Sequence, residues 1–216
     1  MKRILCLVIA LLMVTFAFTA CKKEDTPPAY EEIDRSPVET LDGVTVTSEQ
    51  TDYVLIEVAD YGSILVRLYP NVAPETVANF KKLVSEGFYD GLIFHRVIED
   101  FMIQGGDPEG TGMGGSGTNI KGEFSKNGFE NNLKHTRGVL SMARSNDPDS
   151  ASSQFFICHK TAGVGHLDGN YASFGYVVNG MDVVDEIAEV KTNSGDKPIK
   201  DVVITSIKFA SVPEAK

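Results

Sequence analysis

The sequence predicts a mostly antiparallel β domain, a sandwich or barrel, with two helices placed to cover its open ends. Three observations predict it. Seven short β-rich runs occur, at 53–58, 64–69, 92–98, 139–142, 154–158, 176–178 and 202–209. Glycine-rich connections separate them, and only two stretches have helical spacing. Many short strands joined by such turns build sandwiches and barrels.

Taken in order, the chain opens with charged Lys2 and Arg3, an apolar stretch over 4–18, and Thr19-Ala20 before Cys21. A charged start, a short apolar centre and a small residue before the break are the parts of a secretory signal. The apolar stretch falls short of the roughly 20 residues of a membrane span. A cysteine directly after the small residue resembles a bacterial lipobox. Residues 1–20 are therefore expected to be a lipoprotein signal peptide and Cys21 the lipidation site, with several acyl chains giving stable membrane attachment. Residues 21–50 are rich in Glu, Asp, Thr and Pro without sustained periodicity, which predicts a flexible tether. The folded domain is expected over 51–212, and 213–216 form a C-terminal tail. Within the domain, Pro74-Glu75-Thr76 opens a helix carrying Val77, Phe80, Leu83 and Val84 and closed by Gly87, with Pro and Glu suited to the first turn. Met181, Val184, Ile187 and Ala188 mark a second amphipathic helix before Asn193 and Gly195.

Composition narrows the function. Hydrophobic residues make up 42% and charged residues 23% of 216, near the globular average, so a real core can form. Lys plus Arg total 20 against 30 Asp plus Glu; loss of Lys2 and Arg3 with the leader leaves 18 against 30, a formal charge of −12. That balance disfavours nucleic acid, whose phosphates need clustered cations. Cys6 lies in the leader and Cys21 is the lipid site, so Cys158 stands alone with no disulfide partner, a small buried hydrophobe in the run Phe155-Phe156-Ile157. Gly112-Met113-Gly114-Gly115-Ser116-Gly117 satisfies the dinucleotide template, but that template needs a preceding strand and a following helix, and Thr118-Asn119-Ile120-Lys121-Gly122 is a poor helix start, so it reads as a loop. Cys158, His159, His166 and Asp168 do not make a zinc site, because neighbouring strand residues point to opposite faces. No metal or cofactor is expected.

The strong signal is a series of motifs: Phe94-His95-Arg96-Val97-Ile98, Phe101-Met102-Ile103-Gln104-Gly105-Gly106-Asp107, Ser152-Ser153-Gln154-Phe155-Phe156-Ile157, Leu167-Asp168-Gly169 and Phe174-Gly175. In order and spacing they closely resemble the cyclophilin core over Thr51 to Phe209. The resemblance implies a closed eight-stranded antiparallel β-barrel capped by two α-helices and peptidyl-prolyl cis/trans isomerase activity. It also implies that Arg96 is the catalytic arginine and Gln104 its orienting partner. Phe101, Met102, Phe156 and Leu167 would line the proline pocket, and Gln154 with the backbone around Ala143 and Arg144 would bind the peptide preceding proline. Arg144 stands where asparagine is usual, Tyr171 where many members carry histidine, and His166 where a tryptophan typically contacts cyclosporin, which implies weakened cyclosporin binding.

The chemistry fits the residues. An X-Pro bond rotates slowly because amide resonance must be lost, a barrier of about 18–20 kcal/mol. No acid, base or nucleophile is needed. An apolar pocket must grip the ring while a fixed donor meets the nitrogen, which gains basicity only in the twisted state. The permanently charged, rigid fork of Arg96 suits the donor. Strand alternation predicts that Phe94 shares a face with Arg96, Met102 with Gln104, and Gln154 with Phe156. The expected function is thus isomerisation of X-Pro bonds in exported or envelope proteins, by a monomer lipid-anchored in the cell envelope and facing the periplasm or the cell surface. The alternatives are a non-catalytic module or chaperone that holds proline-containing polypeptides in the same groove, and a structural envelope lipoprotein. Retention of Arg96 with Gln104 favours the enzyme.

Overall fold

The computed structural model describes residues 33–213. The leader, Cys21 and the first part of the tether lie outside the described residues. Nine strands form one antiparallel sheet: β1 (Thr45–Thr47), β2 (Tyr53–Val58), β3 (Gly62–Leu68), β4 (Arg96–Ile98), β5 (Met102–Gly105), β6 (Val139–Met142), β7 (Phe155–Cys158), β8 (Ser173–Asn179) and β9 (Ile204–Ser211). Two helices, α1 (Pro74–Ser85) and α2 (Met181–Ala188), complete a mostly β architecture.

The strand count and the closure differ from expectation. The order β1-β9-β2-β3-β8-β6-β7-β5-β4 has nine strands, not eight, and strand pairing does not close it into a barrel. Relative to the seven runs read from the sequence, the two added strands are β1, recruited from the tether onto β9, and β5, whose four residues fall inside a motif rather than a recognised run. The run 92–98 becomes a strand only from Arg96. Its first half meets the segment before β9 through an isolated bridge, Ile93 to Val203, flanked by Phe94 N to Val202 O at 2.9 Å and Ile204 N to Leu92 O at 2.8 Å.

Alternation explains the strands. Along β2, Val54, Ile56 and Val58 are buried while Tyr53, Leu55 and Glu57 are partly exposed, the period-two pattern of a sheet with one covered face. The main core packs Phe80 of α1 against Tyr89, Phe155 and Phe174, with ring centroids 5.1–5.6 Å apart, separations typical of favourable aromatic pairs. On α2, Val183, Val184, Ile187 and Ala188 turn inward. A second apolar cluster, with Met102, Leu133, Val139, Phe156 and Leu167, lies apart from this core.

Residues 33–47, within the stretch read as tether, lie along the sheet. Val38 N donates to Val178 O at 2.9 Å, and Asn179 Nδ2 donates to Val38 O at 2.7 Å. Asp34 pairs with Arg67, and Tyr69 OH donates to the Asp34 carbonyl at 2.7 Å. The Arg35 guanidinium stands 5.3 Å from the centre of the Tyr176 ring and donates to Thr136 Oγ1 at 3.0 Å. Val38, Leu41 and Val44 pack against Leu65, Val178 and Ala210.

Helix α1 has no cap from its own Ala73. Its free N–H groups are met from elsewhere in the chain: the buried Glu123 carboxylate accepts from Glu75 N at 3.0 Å and Thr76 N at 2.8 Å. A carboxylate there satisfies two orphan donors and the positive end of the helix dipole. Replacing Glu123 by Ala strands both donors, and urea unfolding is expected to show a loss of about 1–3 kcal/mol; an unchanged midpoint would show that the carboxylate does not cap the helix.

Candidate active site

The site is built by register. Arg96 on β4 faces Gln104 on β5, Gln104 faces Phe156 on β7, and Phe156 faces Ser141 on β6. Directly paired residues project to the same side, about 4.8 Å apart per strand, so these four form one row across the sheet. Met102, two residues from Gln104, joins that face.

Above the row lies a cleft of about 560 Å³. Arg96, Phe101, Met102, Gln104, Phe156 and Leu167 line it, with Ala143, Arg144 and Tyr171 on another side. An adjoining cleft of about 280 Å³ shares Gln104, Ala143 and Arg144 and adds Gln154. The structure therefore gathers nearly every residue singled out in the sequence. His166 stands back, lining neither cleft and stacking on Phe101 with centroids 5.9 Å apart. Phe94 is not on the Arg96 side: it precedes the strand and packs in the main core against Phe155.

The Arg96 guanidinium is half-exposed and held by Asp196, Nε to Oδ2 at 3.4 Å. Asp196 comes from a turn after α2, where its own carbonyl accepts from Val97 N at 2.8 Å. The Gln104 amide donates to Gln154 Oε1 at 2.9 Å, and Gln154 Nε2 donates to Gly112 O at 3.0 Å and Gly114 O at 2.8 Å. The glycine run is thus a loop fastened over the cleft. Asp107 fastens it from the other side, accepting from the backbone N–H of Glu109, Thr111 and Gly112. Burial opposes its charge, but those N–H groups hold its carboxyl below the usual range. Gly106, with φ at 85°, leaves no room for a side chain, because a Cβ would stand 2.5 Å from the Ser153 carbonyl.

At the Ser141 end of the row lies an arrangement the sequence reading missed. His135 Nδ1 is 2.9 Å from Asp168 Oδ1, and Nε2 is 3.0 Å from Ser141 Oγ. With Asp168 accepting at Nδ1, the network assigns the proton to that nitrogen and leaves Nε2 to accept from the Ser141 hydroxyl. The His135 ring stacks 6.1 Å from Phe156. Ser–His–Asp geometry suggests a hydrolytic triad, yet Ser141 is 0% and His135 2% exposed, so no substrate reaches the hydroxyl. The set supports the pocket floor. His95, lining the cleft from behind, has no hydrogen-bond partner at either ring nitrogen among the described residues.

Burial lowers the pKa of both His135 and His95, outweighing the attraction of Asp168 and Asp107 respectively. A histidine whose folded pKa lies below its unfolded value binds its proton more readily when unfolded. Its neutral form then supports the fold above about pH 6.5, and that support declines as pH falls below it. Urea midpoints are expected to hold level above pH 7 and fall towards pH 5, more shallowly in His135→Gln; an equal slope in the variant would show that His135 does not contribute.

Three comparisons bear on this geometry. The family described as cyclophilin type peptidyl-prolyl cis-trans isomerase/CLD matches residues 53–209. A peptidyl-prolyl cis-trans isomerase of Schizosaccharomyces pombe is 48% identical over 144 residues, covering 66% of this chain and 90% of its own. One from the bacterium Acinetobacter baylyi is 40% identical over 188 residues, covering 82% and 96%. Among solved structures, a cyclophilin type peptidyl-prolyl cis-trans isomerase of Cryptosporidium parvum, crystallised in the presence of the dipeptide Ala-Pro, superposes with a TM-score of 0.67 at 33% identity, covering 74% of this chain and 99% of that one.

Proposed function

The chain belongs to the family of cyclophilin-type peptidyl-prolyl cis-trans isomerases and has their activity, and we propose that Arg96 drives it on X-Pro bonds of exported or envelope proteins. The observation that carries the assignment is the single row of Arg96, Gln104 and Phe156 along one cleft.

The proline ring enters between Phe101, Met102, Phe156 and Leu167, where burial of its methylenes contributes about 0.8 kcal/mol each. The peptide preceding proline lies along Ala143, Arg144 and Gln154, with Tyr171 as a further wall. With the ring held, rotation occurs in the carbonyl arm. In the twisted state the proline nitrogen regains its lone pair, and an Arg96 N–H donates to it. The planar ground state has no such acceptor, so the bond forms only where it lowers the barrier. Asp196 holds the guanidinium at Nε, leaving the Nη groups to face the substrate. Gln104 stands opposite Arg96 in register and is fixed by Gln154, a wall that keeps the fork from swinging away.

Cys21 carries the lipid and places a monomeric enzyme at the membrane of the cell envelope, facing the periplasm or the surface. The charged start, apolar centre and Ala20-Cys21 junction support this. Cys21→Ser is expected to move the full chain from the membrane fraction to the soluble fraction; unchanged fractionation would remove the anchor from the proposal.

Magnetisation-exchange NMR on a short X-Pro peptide measures turnover without a coupling protease. Arg96→Ala is expected to lower kcat/KM by about 10²–10³, the loss typical of one preorganised transition-state donor, with circular dichroism unchanged. A folded Arg96→Ala of full activity would remove the assignment of the donor, while a folded wild type without acceleration would favour the peptide-holding module.

A further inference from the structure

Arg144 lies at the junction of the two clefts and lines both. Its guanidinium is 4.7 Å from the Tyr171 ring centre and 5.1 Å from that of Phe124. Nε donates to Asn170 O at 2.9 Å and Nη1 to Ser145 O at 2.7 Å. These contacts fix the plane of the fork. Among the described residues Arg144 pairs with no carboxylate, and no bond is made by Nη2. Arg96, by contrast, is matched by Asp196.

The surroundings sharpen this charge. The whole sequence has a formal charge of −10, yet among the described residues no Asp or Glu lines either cleft, while Arg96, Arg144 and Lys197 do. Asp107 is occupied by backbone N–H groups, and Asp149 by Gly122 N and Asn127 Nδ2. The smaller cleft has polar walls from Ser145, Ser150, Ser152 and Gln154. These groups can hydrogen-bond a polar side chain beside the Arg144 fork.

A bound peptide in extended form alternates its side chains, so the residue two before proline points to the same side as the proline ring, about 7 Å away. With the ring in the larger cleft, that side chain enters the smaller one. We infer that Arg144 is a specificity-determining residue that selects clients with Asp or Glu two residues before proline, the carboxylate taking the open Nη2 edge of the fork. The inference rests on the isomerase reading of the larger cleft and adds a substrate preference to it.

Magnetisation-exchange NMR tests it on the peptides Ala-Xaa-Ala-Pro-Phe with Xaa as Glu, Gln or Lys and the full chain at low salt. A partly exposed ion pair predicts a kcat/KM for Glu over Lys on the order of fivefold, with Gln between. Because Debye screening shortens with ionic strength, the ratio should shrink in about 1 M salt. Arg144→Gln should bring the ratio close to one, and Arg144→Lys should keep most of it, whatever either change does to the overall rate. Catalysis of all three peptides at equal rates would overturn the inference and leave the isomerase standing. A ratio that survives in folded Arg144→Gln would assign the preference to another group and overturn the role of Arg144. No acceleration of any peptide would overturn both the preference and the isomerase reading.

Discussion

The register of four short strands is the constraint on which the site depends. Arg96, Gln104, Phe156 and Ser141 meet only because β4, β5, β7 and β6 pair in one alignment. Strand side chains alternate with a period of two, so a slip of one residue in β5 would send Gln104 and Met102 into the core and bring Ile103 to the cleft. Several contacts guard the alignment. Phe155 and Ile157, the alternate residues of β7, are fully buried in the main core. Ser153 donates to Gly106 O at 2.7 Å at the end of β5. At that corner Gly106 has the one backbone that lets the chain approach the Ser153 carbonyl. The same burial that stabilises the fold therefore points the functional side chains outward.

Rotation about an X-Pro bond transfers no proton and forms no covalent bond, so the site has to be stiff rather than reactive. Each side chain proposed to act on the substrate is held by a neighbour. Asp196 restrains Arg96, Gln154 restrains Gln104, and the His135 ring lies against Phe156. A donor fixed before the reaction needs no reorganisation as the nitrogen becomes basic, and that is where preorganised polar groups gain their effect. The tautomer of His135, set by Asp168, orients a ring and a hydroxyl beside Phe156 without adding charge to the cleft.

The parts of this molecule legible in the sequence are those determined by local pattern. Helix α1 announced itself through Pro74, Glu75 and the spacing of Val77, Phe80 and Val84, and the pocket residues lay in contiguous motifs. Illegible were the contacts between residues far apart that have no pattern of their own. Asp196 follows its arginine by a hundred positions, and nothing in Asn193-Ser194-Gly195-Asp196 marks it as a partner for β4. Glu123 reads as a surface carboxylate until the open end of α1 is placed against it. The stretch 33–47 is polar and Pro-containing, a composition that reads as unstructured. A few apolar side chains, Val38, Leu41 and Val44, and specific bonds from Asp34 and Arg35 are enough to lay it on the sheet. Phe94 differs for another reason: it lies two residues before β4, beside the isolated bridge at Ile93, where the alternation of the strand does not extend.

The buried Ser141, His135 and Asp168 show why residue identity and even atomic distance do not decide function. Their separations of 3.0 and 2.9 Å would serve a nucleophile and its base. Ser141, however, pairs with Phe156 across the strands and has no exposed surface, and the ring that would accept its proton is sealed against that same phenylalanine. Opening the hydroxyl to a substrate would require removing Phe156 from the wall of the cleft. One constellation can therefore support an isomerase or power a hydrolase, and access to the reacting atom, set by which neighbouring strand covers it, determines which.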